Sequence, residues 1–353
     1  MAKLRFSRRD VLKGSMAAGV VYASPVRAQA PAPSAIAPEL IAAARKEGRV
    51  ALYTAVDLPV AERFAKAFQA KYRGITVRVE RTGAERLFQR IGQEVKSGIH
   101  AVDVVNSSDA AHSITWKRAG LLAAYVPEDA ARHFPADHRD PDGTYFSFRT
   151  TLSVIGYNSK LVKPEDAPKS LADLLDPKWL GRMVKSHPAY SGSTMTATFQ
   201  IARDLGWDYF AKLAKQKIMQ VQSGNDPPKK LQLGERAVMA DGNEYTAIQL
   251  REEGHPVEVV YATEGTPFIT GPSSVFKSAP NPNAARLMLS YMASLEAQQL
   301  IVDVGGLRSV HANIKEPAGR TPLSQVKLMK DDPAAVEAQS EDIKGRYAKL
   351  FGV

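Results

Sequence analysis

The sequence predicts an α/β chain folded as two lobes, and three observations carry that expectation. Helical and strand periodicities alternate along most of the chain. The alternation is broken by a polar, Asp/Pro/Gly-rich passage from Pro135 to Gly143, which reads as a surface loop between two sets of elements. At about 150 residues per domain, a chain of 353 residues also has enough material for two cores.

The N-terminus reads as an address and not as structure. Lys3, Arg5, Arg8, Arg9 and Lys13 precede a mildly apolar stretch from Gly14 to Tyr22, followed by small residues and a proline. Ser7 to Lys13 matches the twin-arginine export pattern, with Val11 where phenylalanine is commoner. Cleavage after Ala30 would put Pro31 beside the cut, so residues 1–28 are expected to form the signal peptide. The apolar stretch is shorter than the ~20 residues a membrane span needs. The mature chain is therefore expected to be a soluble, periplasmic protein.

After a Pro/Ala-rich lead-in, Leu40 to Arg45 reads as helix with Gly48 as its stop, and Val50 to Tyr53 as a strand. Ala61 to Tyr72 is helical, Ile75 to Val79 a strand, Leu87 to Val95 a helix and Val102 to Val105 a strand. This order predicts parallel βαβ units with right-handed crossovers. A strand is expected from Leu152 to Tyr157, then helices at Ala197 to Asp204, Tyr209 to Lys215 and Pro228 to Leu233. A strand at Ala237 to Ala240 and a helix at Tyr245 to Glu253 follow. Val257 to Tyr261 and Pro272 to Phe276 read as strands, and Ala284 to Ala293 and Glu296 to Asp303 as helices.

Composition excludes several function classes. The net charge of +10 falls by about half once the leader is removed, and no block of like charges suggests nucleic acid. The absence of cysteine excludes a disulfide framework, thiol catalysis and thiolate metal sites. No Gly-x-Ser-x-Gly elbow, phosphate-binding P-loop, dinucleotide turn or His-Glu-x-x-His helix occurs, and the histidines are scattered.

In open α/β sheets ligands bind beyond the carboxyl ends of the strands, which singles out the loops after Tyr53, Val79, Val105, Met183 and Ala240. Ser191, Gly192, Ser193 and Thr194 precede a helix expected to begin near Thr196, where hydroxyls and free N–H groups can cradle an anion. The same pattern suits a plain N-cap at Ser193 or Thr194. Ser107, Ser108 and Asp109, and the run from Thr82 and Gly83 to Glu85, carry the same two readings. Asn225 is either a turn residue or a ligand contact. Arg149 lies where the chain is expected to cross between lobes, and is either a bidentate anion clamp or half of a surface ion pair.

From Leu171 the chain reads Leu-Ala-Asp-Leu-Leu-Asp-Pro-Lys-Trp-Leu-Gly-Arg, and Ser191-Gly192-Ser193 follows. This resembles the family-1 extracellular solute-binding proteins of the ferric-iron-binding type. Val50 to Asp57, Val102 to Val105 with Ser107 and Ser108, Gly156-Tyr157-Asn158 with Leu161, and Gly271-Pro272 fall in the same order and spacing. The resemblance implies a type II periplasmic-binding-protein fold with two crossovers at the hinge. It places lobe 1 at residues 29–149 plus 269–320, lobe 2 at 150–268, and C-terminal helices at 321–353 on lobe 2. It implies a monomer that closes on a small-molecule or metal ligand and works with ABC permease and ATPase subunits in the inner membrane.

The ferric relatives' ligand positions fall on Asp57, Ser108, Glu244 and Tyr245, so only one of their two adjacent tyrosines is kept. Asp57, Glu244 and Tyr245, with an anion at Ser191 to Ser193, could hold iron(III) as transported cargo; no cofactor is implied. The same groups suit a small zwitterion or a phosphorylated solute. The competing expectation is an exported hydrolase- or transferase-like enzyme that uses Asp57 and Glu244 as a carboxylate pair.

Overall fold

The computed structural model describes residues 30–353; the expected signal peptide and twin-arginine motif lie outside them. The first lobe opens with α1 (Pro38–Glu47), β1 (Arg49–Thr54), α2 (Leu58–Lys71), β2 (Thr76–Arg81), α3 (Ala84–Lys96), β3 (Val104–Asn106), α4 (Ala110–Arg118), α5 (Glu128–His133) and β4 (Phe146–Leu152). The second holds β5 (Ile155–Asn158), β6 (Met183–Ser186), α6 (Gly192–Leu205), α7 (Trp207–Ala214), β7 (Met219–Val221), α8 (Asp226–Gln232), β8 (Val238–Met239), α9 (Glu244–Glu252) and β9 (Val257–Val260). The chain then returns through β10 (Phe268–Val275), α10 (Pro282–Ala293) and α11 (Leu295–Asp303), and ends in α12 (Pro333–Phe351).

Each lobe is built on a five-stranded sheet, in the orders β2-β1-β3-β10-β4 and β7-β6-β8-β5-β9. The expected parallel pairing holds for β1 with β2 and β3, and for β6 with β7 and β8. By contrast, β10 runs antiparallel to β3 and β4, and β5 antiparallel to β8 and β9. These antiparallel partners are the strands next to the crossovers, where the chain enters a sheet without a helix to reverse it.

The single strand expected at Leu152 to Tyr157 is two strands in different sheets. β4 ends at Leu152 and β5 begins at Ile155. Between them the Ser153 N–H is taken by Pro267 O on the returning crossover, at 3.0 Å, and Ser153 bridges Asn243. The boundary expected at 149/150 thus falls inside β4, and the return enters the first sheet at Phe268.

Local chemistry fixes the elements. Gly48 ends α1 with φ of 70°, a left-handed conformation that costs glycine little, and its N–H caps Ala44 O at 3.0 Å. Val50 and Leu52 face Phe64 and Phe68 of α2 in one buried cluster, whereas Ala51 and Tyr53 face Leu87 and Ile91 of α3. β1 is therefore covered on both faces, as a central parallel strand requires. In the second lobe Trp179 is only 2% exposed, packs in the core with Leu174, Phe210 and Leu213, and is flanked by Lys178 and Arg182.

The C-terminal helix α12 touches both lobes. Val336 and Ile343 pack with Met195 and Phe199 of α6 and with Ala111 of α4, while Tyr347 joins the core around Phe210. Toward the first lobe the contact with Ala111 is joined by polar ones: Arg118 donates to both oxygens of Glu337 (2.8 and 3.1 Å), and Lys344 to Glu85 (2.9 Å).

Candidate functional site

Strand ends and helix starts from both lobes meet in one place. Ala55, Arg81, Gly83, Ala84 and Ser108 of the first lobe face Tyr190, Ser191, Ser193, Ser223, Gly224 and Asn243 of the second. The cavity left between them is about 10 Å³, on the margin for one water, so the lobes are closed on each other. The N-termini of α3, α6 and α9 and the loop into α4 line this space. Their unsatisfied N–H groups and dipoles make it electropositive.

Ser191, not Ser193 or Thr194, is the cap of α6, which begins at Gly192, four residues earlier than its apolar pattern suggests; its Oγ accepts from the Thr194 N–H at 3.3 Å. Ser193 then lies in the first turn, with Oγ beside the backbone of Gly224. Ser108 lines the cavity at the entry to α4, whose cap is Asp109. Gly83 precedes α3, and Thr82 beside it is half-buried, with its N–H spent on Thr54 O.

At Gly192 the lobes touch backbone to backbone. A Cβ there would lie 2.7 Å from Asp109 Cβ and 3.0 Å from Ala84 Cβ. Gly192→Ala is therefore expected to hold the lobes apart, costing about 1–3 kcal/mol of closure, or about 5–150-fold in an equilibrium. Small-angle scattering should show a larger radius of gyration; an unchanged radius would mean that the contact yields.

A second group lies at the junction of the lobes. The Asp57 N–H donates to the Tyr245 hydroxyl at 3.3 Å, and the Asp57 carboxylate pairs with Lys229 of α8 at 3.3 Å. Burial pushes the Tyr245 phenol up; Arg149 opposes this, Asp57 adds to it, and Arg81 and Asn225 pull it down. Asn225 accepts from Asn243 Nδ2 (2.5 Å) and Thr246 (3.2 Å), tying the starts of α8 and α9 together.

Arg149 is 2% exposed, which corrects the surface ion-pair alternative: among the described residues it enters no ion pair. Its Nε donates to Asn106 Oδ1 at 3.1 Å. Burial lowers its pKa and the nearby Tyr245 opposes that, but a guanidinium starts so high that it stays a cation. Buried charges are ordinarily paired.

Glu244 is engaged by arginines. It is fully buried, and its oxygens accept from Arg308 (2.8 Å twice) and Tyr261 (2.6 Å), with Arg320 at 3.4 Å. Burial alone would raise this carboxyl, yet the arginines and Tyr261 hold it below its ordinary value. With Asp57 bound to Lys229 and Glu244 to Arg308, both carboxylates of the expected set of Asp57, Glu244 and Tyr245 already have cationic partners. Among the described residues no three His, Cys, Asp or Glu side chains are placed to hold a metal ion. The carboxylate pair expected of an enzyme is committed to the same partners.

Sequence reasoning missed Arg81, Asn106, Tyr190, Ser223, Lys229 and Asn243. Arg81 and Asn106 end β2 and β3, so the carboxyl-end rule that flagged their loops reaches them one residue earlier. Arg81 donates to Val56 O (3.3 Å) and across the cleft to Ser223 Oγ (3.5 Å).

Comparison with known proteins gives this architecture a family. A family model described as "Bacterial extracellular solute-binding protein" matches residues 63–335. The chain is 27% identical to "Iron uptake protein A1" of Synechocystis sp. over 246 residues, 65% of this chain and 66% of that protein. It is 23% identical to the "Probable ABC transporter periplasmic-binding protein y4fP" of Sinorhizobium fredii over 287 residues, 78% of this chain and 74% of that one. Among solved structures, the periplasmic binding protein AfuA of Actinobacillus pleuropneumoniae, with fructose-6-phosphate bound, superposes with a TM-score of 0.79 at 23% identity, covering 87% of this chain and 99% of that one. Iron-bound HitA of Pseudomonas aeruginosa superposes with a TM-score of 0.74 at 23% identity, covering 86% and 99%. Two closed α/β lobes joined by two crossovers, and a family match over most of the chain, lead to one conclusion: the chain belongs to the bacterial extracellular solute-binding proteins and is the periplasmic solute-binding subunit of an ABC importer.

Proposed function

We propose that the solute is a small organic anion, a phosphate ester fitting best, captured by closure of the lobes and passed to the importer's permease and ATPase subunits. Arg149 carries this reading: a buried guanidinium without a carboxylate partner among the described residues needs its counter-charge from the ligand. Arg81, the hydroxyls of Ser108, Ser191, Ser193 and Ser223, and the helix N-termini favour the same sign of charge. The sugar phosphate bound by the AfuA fold relative suits such a site. We assign lobe 1 to residues 30–152 and 268–320 and lobe 2 to 153–267, acting as a monomer that binds and does not turn over its solute. Ser7 to Lys13 we read as a signal for twin-arginine export.

Iron(III) is the competing cargo, because relatives carry iron in their names. Titration with fructose 6-phosphate, inorganic phosphate and iron(III) citrate separates the two. Saturable one-to-one binding of a phosphate compound, with a smaller radius of gyration, is expected. A saturable tyrosinate-to-iron band, lost in Tyr245→Phe, would replace the anion reading with iron.

A further inference from the structure

Arg149 is held in place by two residues, Gly271 and Asn106. β4 and β10 pair with Arg149 opposite Gly271 and Ser147 opposite Pro272, so the register slips by one between Gly271 and Pro272. Such a bulge re-aims the side chains beside it. The Arg149 side chain lies flat on the backbone of Gly271: a Cβ there would be 2.9 Å from Cγ, 3.1 Å from Nε and 3.2 Å from Cζ. Cγ, Nε and Cζ cannot all retreat from that point without moving the guanidinium.

Asn106 completes the cradle. Its Nδ2 donates to Gly271 O (3.1 Å), Pro272 O (3.1 Å) and Ser273 Oγ (3.0 Å), which fixes the amide orientation and turns Oδ1 toward Arg149 Nε. The partner is a neutral amide. An aspartate in its place would accept the same hydrogen bond but cancel the charge, and would set a second anionic oxygen against two carbonyls.

We propose that Asn106 and Gly271 are positioning residues that orient the Arg149 guanidinium while leaving its charge uncompensated, so that the anionic group of the solute becomes its counter-ion. This inference rests on reading the cleft as an anion site, and it names the residues that make the site selective for charge. The glycine removes bulk from the path of the guanidinium, and the asparagine holds Nε without neutralising it.

A double-mutant cycle tests this on the full mature chain, with fructose 6-phosphate and inorganic phosphate as probes. Arg149→Lys removes the planar fork but keeps the charge, and is expected to weaken phosphate binding at least tenfold. Gly271→Ala, at a φ that alanine adopts without strain, is expected to weaken it by a similar factor with little change in urea stability. The double variant should be no weaker than either single one, since a displaced guanidinium has no fork contact left to lose. Additive losses would overturn the cradle, because a merely structural glycine acts independently of the Arg149 head group. An Arg149→Lys variant that binds phosphate like wild type would instead overturn the anion reading.

A readout independent of ligand keeps the cradle testable on its own. In arginine-labelled protein the Arg149 Nε–H resonance, identified by its loss in Arg149→Lys, is expected to be protected from solvent exchange. It should lose that protection in both Asn106→Ala and Gly271→Ala. Retained protection in both would refute the proposal whatever the solute proves to be.

Discussion

Glu244→Gln is expected to destabilise the protein by about 3–5 kcal/mol, because it leaves Arg308 and Arg320 buried around a neutral amide. Both arginines are nearly inaccessible, at 0% and 8% exposure, and Glu244 is the carboxylate both of them reach. The pair joins the start of α9 in the second lobe to the 308–320 segment, which is itself bridged to Thr150 of β4. The loss should therefore loosen the hinge as well as the fold. Urea unfolding of wild type and variant measures it, and a difference below about 1 kcal/mol would mean that the arginines find other partners.

The sign of the pH dependence follows from the same group. Glu244 is held below its ordinary value of 4.5, so the folded state binds fewer protons than the unfolded state there. Its contribution is complete above that value and is lost as the pH falls through the lowered one. Glu85 acts in the same direction: burial would raise it, but His112 and Lys344 bring it from 4.5 to about 2. Stability is expected to fall on acidification through this window, and the gap between wild type and Glu244→Gln to narrow with it. A gap that stays constant would mean that Glu244 is not the titrating partner.

The second large effect is expected at Tyr347, the buried anchor of α12. Its ring stacks on Phe351, lies beneath Lys185 at 4.7 Å, and its hydroxyl donates to Gln220 at 2.8 Å. Tyr347→Ala should cost about 3–5 kcal/mol, as large-to-small changes of buried aromatics do. Tyr347→Phe should cost only about 1 kcal/mol, the worth of one hydrogen bond. Because α12 grips the second lobe through apolar contacts and the first through Ala111, Glu337 and Lys344, its release should also free α4. Hydrogen exchange in Ala110–Arg118 is expected to rise in Tyr347→Ala, and unchanged exchange there would show that α12 does not couple the lobes.

Much of the fold was legible because it rests on local rules. The periodicities of α1 to α3 and β1 to β3 lie within short windows, and Gly48 and Gly98 stop helices through conformations that need no distant partner. The Leu171 to Arg182 motif that signals the family is structural. Trp179 fills the second core, Asp176 caps the turn at Lys178 N (2.9 Å), and Gly181 takes φ of 71°. Such a motif marks the lineage and leaves the ligand open.

The site was only half legible. The carboxyl-end rule led to Ser108, Gly83 and Ser191 to Ser193, since strand ends and helix starts are local features. The role of Glu244 was hidden, because a carboxylate at a helix start looks the same in sequence whether it faces a cleft or two arginines sixty and more residues away. Arg149 was visible as a residue, and its lack of a counter-ion among the described residues was not.

By itself the sequence determined the export signal as an expectation, the α/β alternation, the two-lobed family and the loops where a ligand can bind. These follow from periodicity, turn chemistry and composition, which act over a few residues. The tertiary structure decided which charges are spent and which are free: Glu244 and Asp57 are paired, while among the described residues Arg149 has only the amide of Asn106. Pairing is a matter of distance in space, and it takes the bulge at Gly271, the closure at Gly192 and the crossover at Ser153 to set those distances.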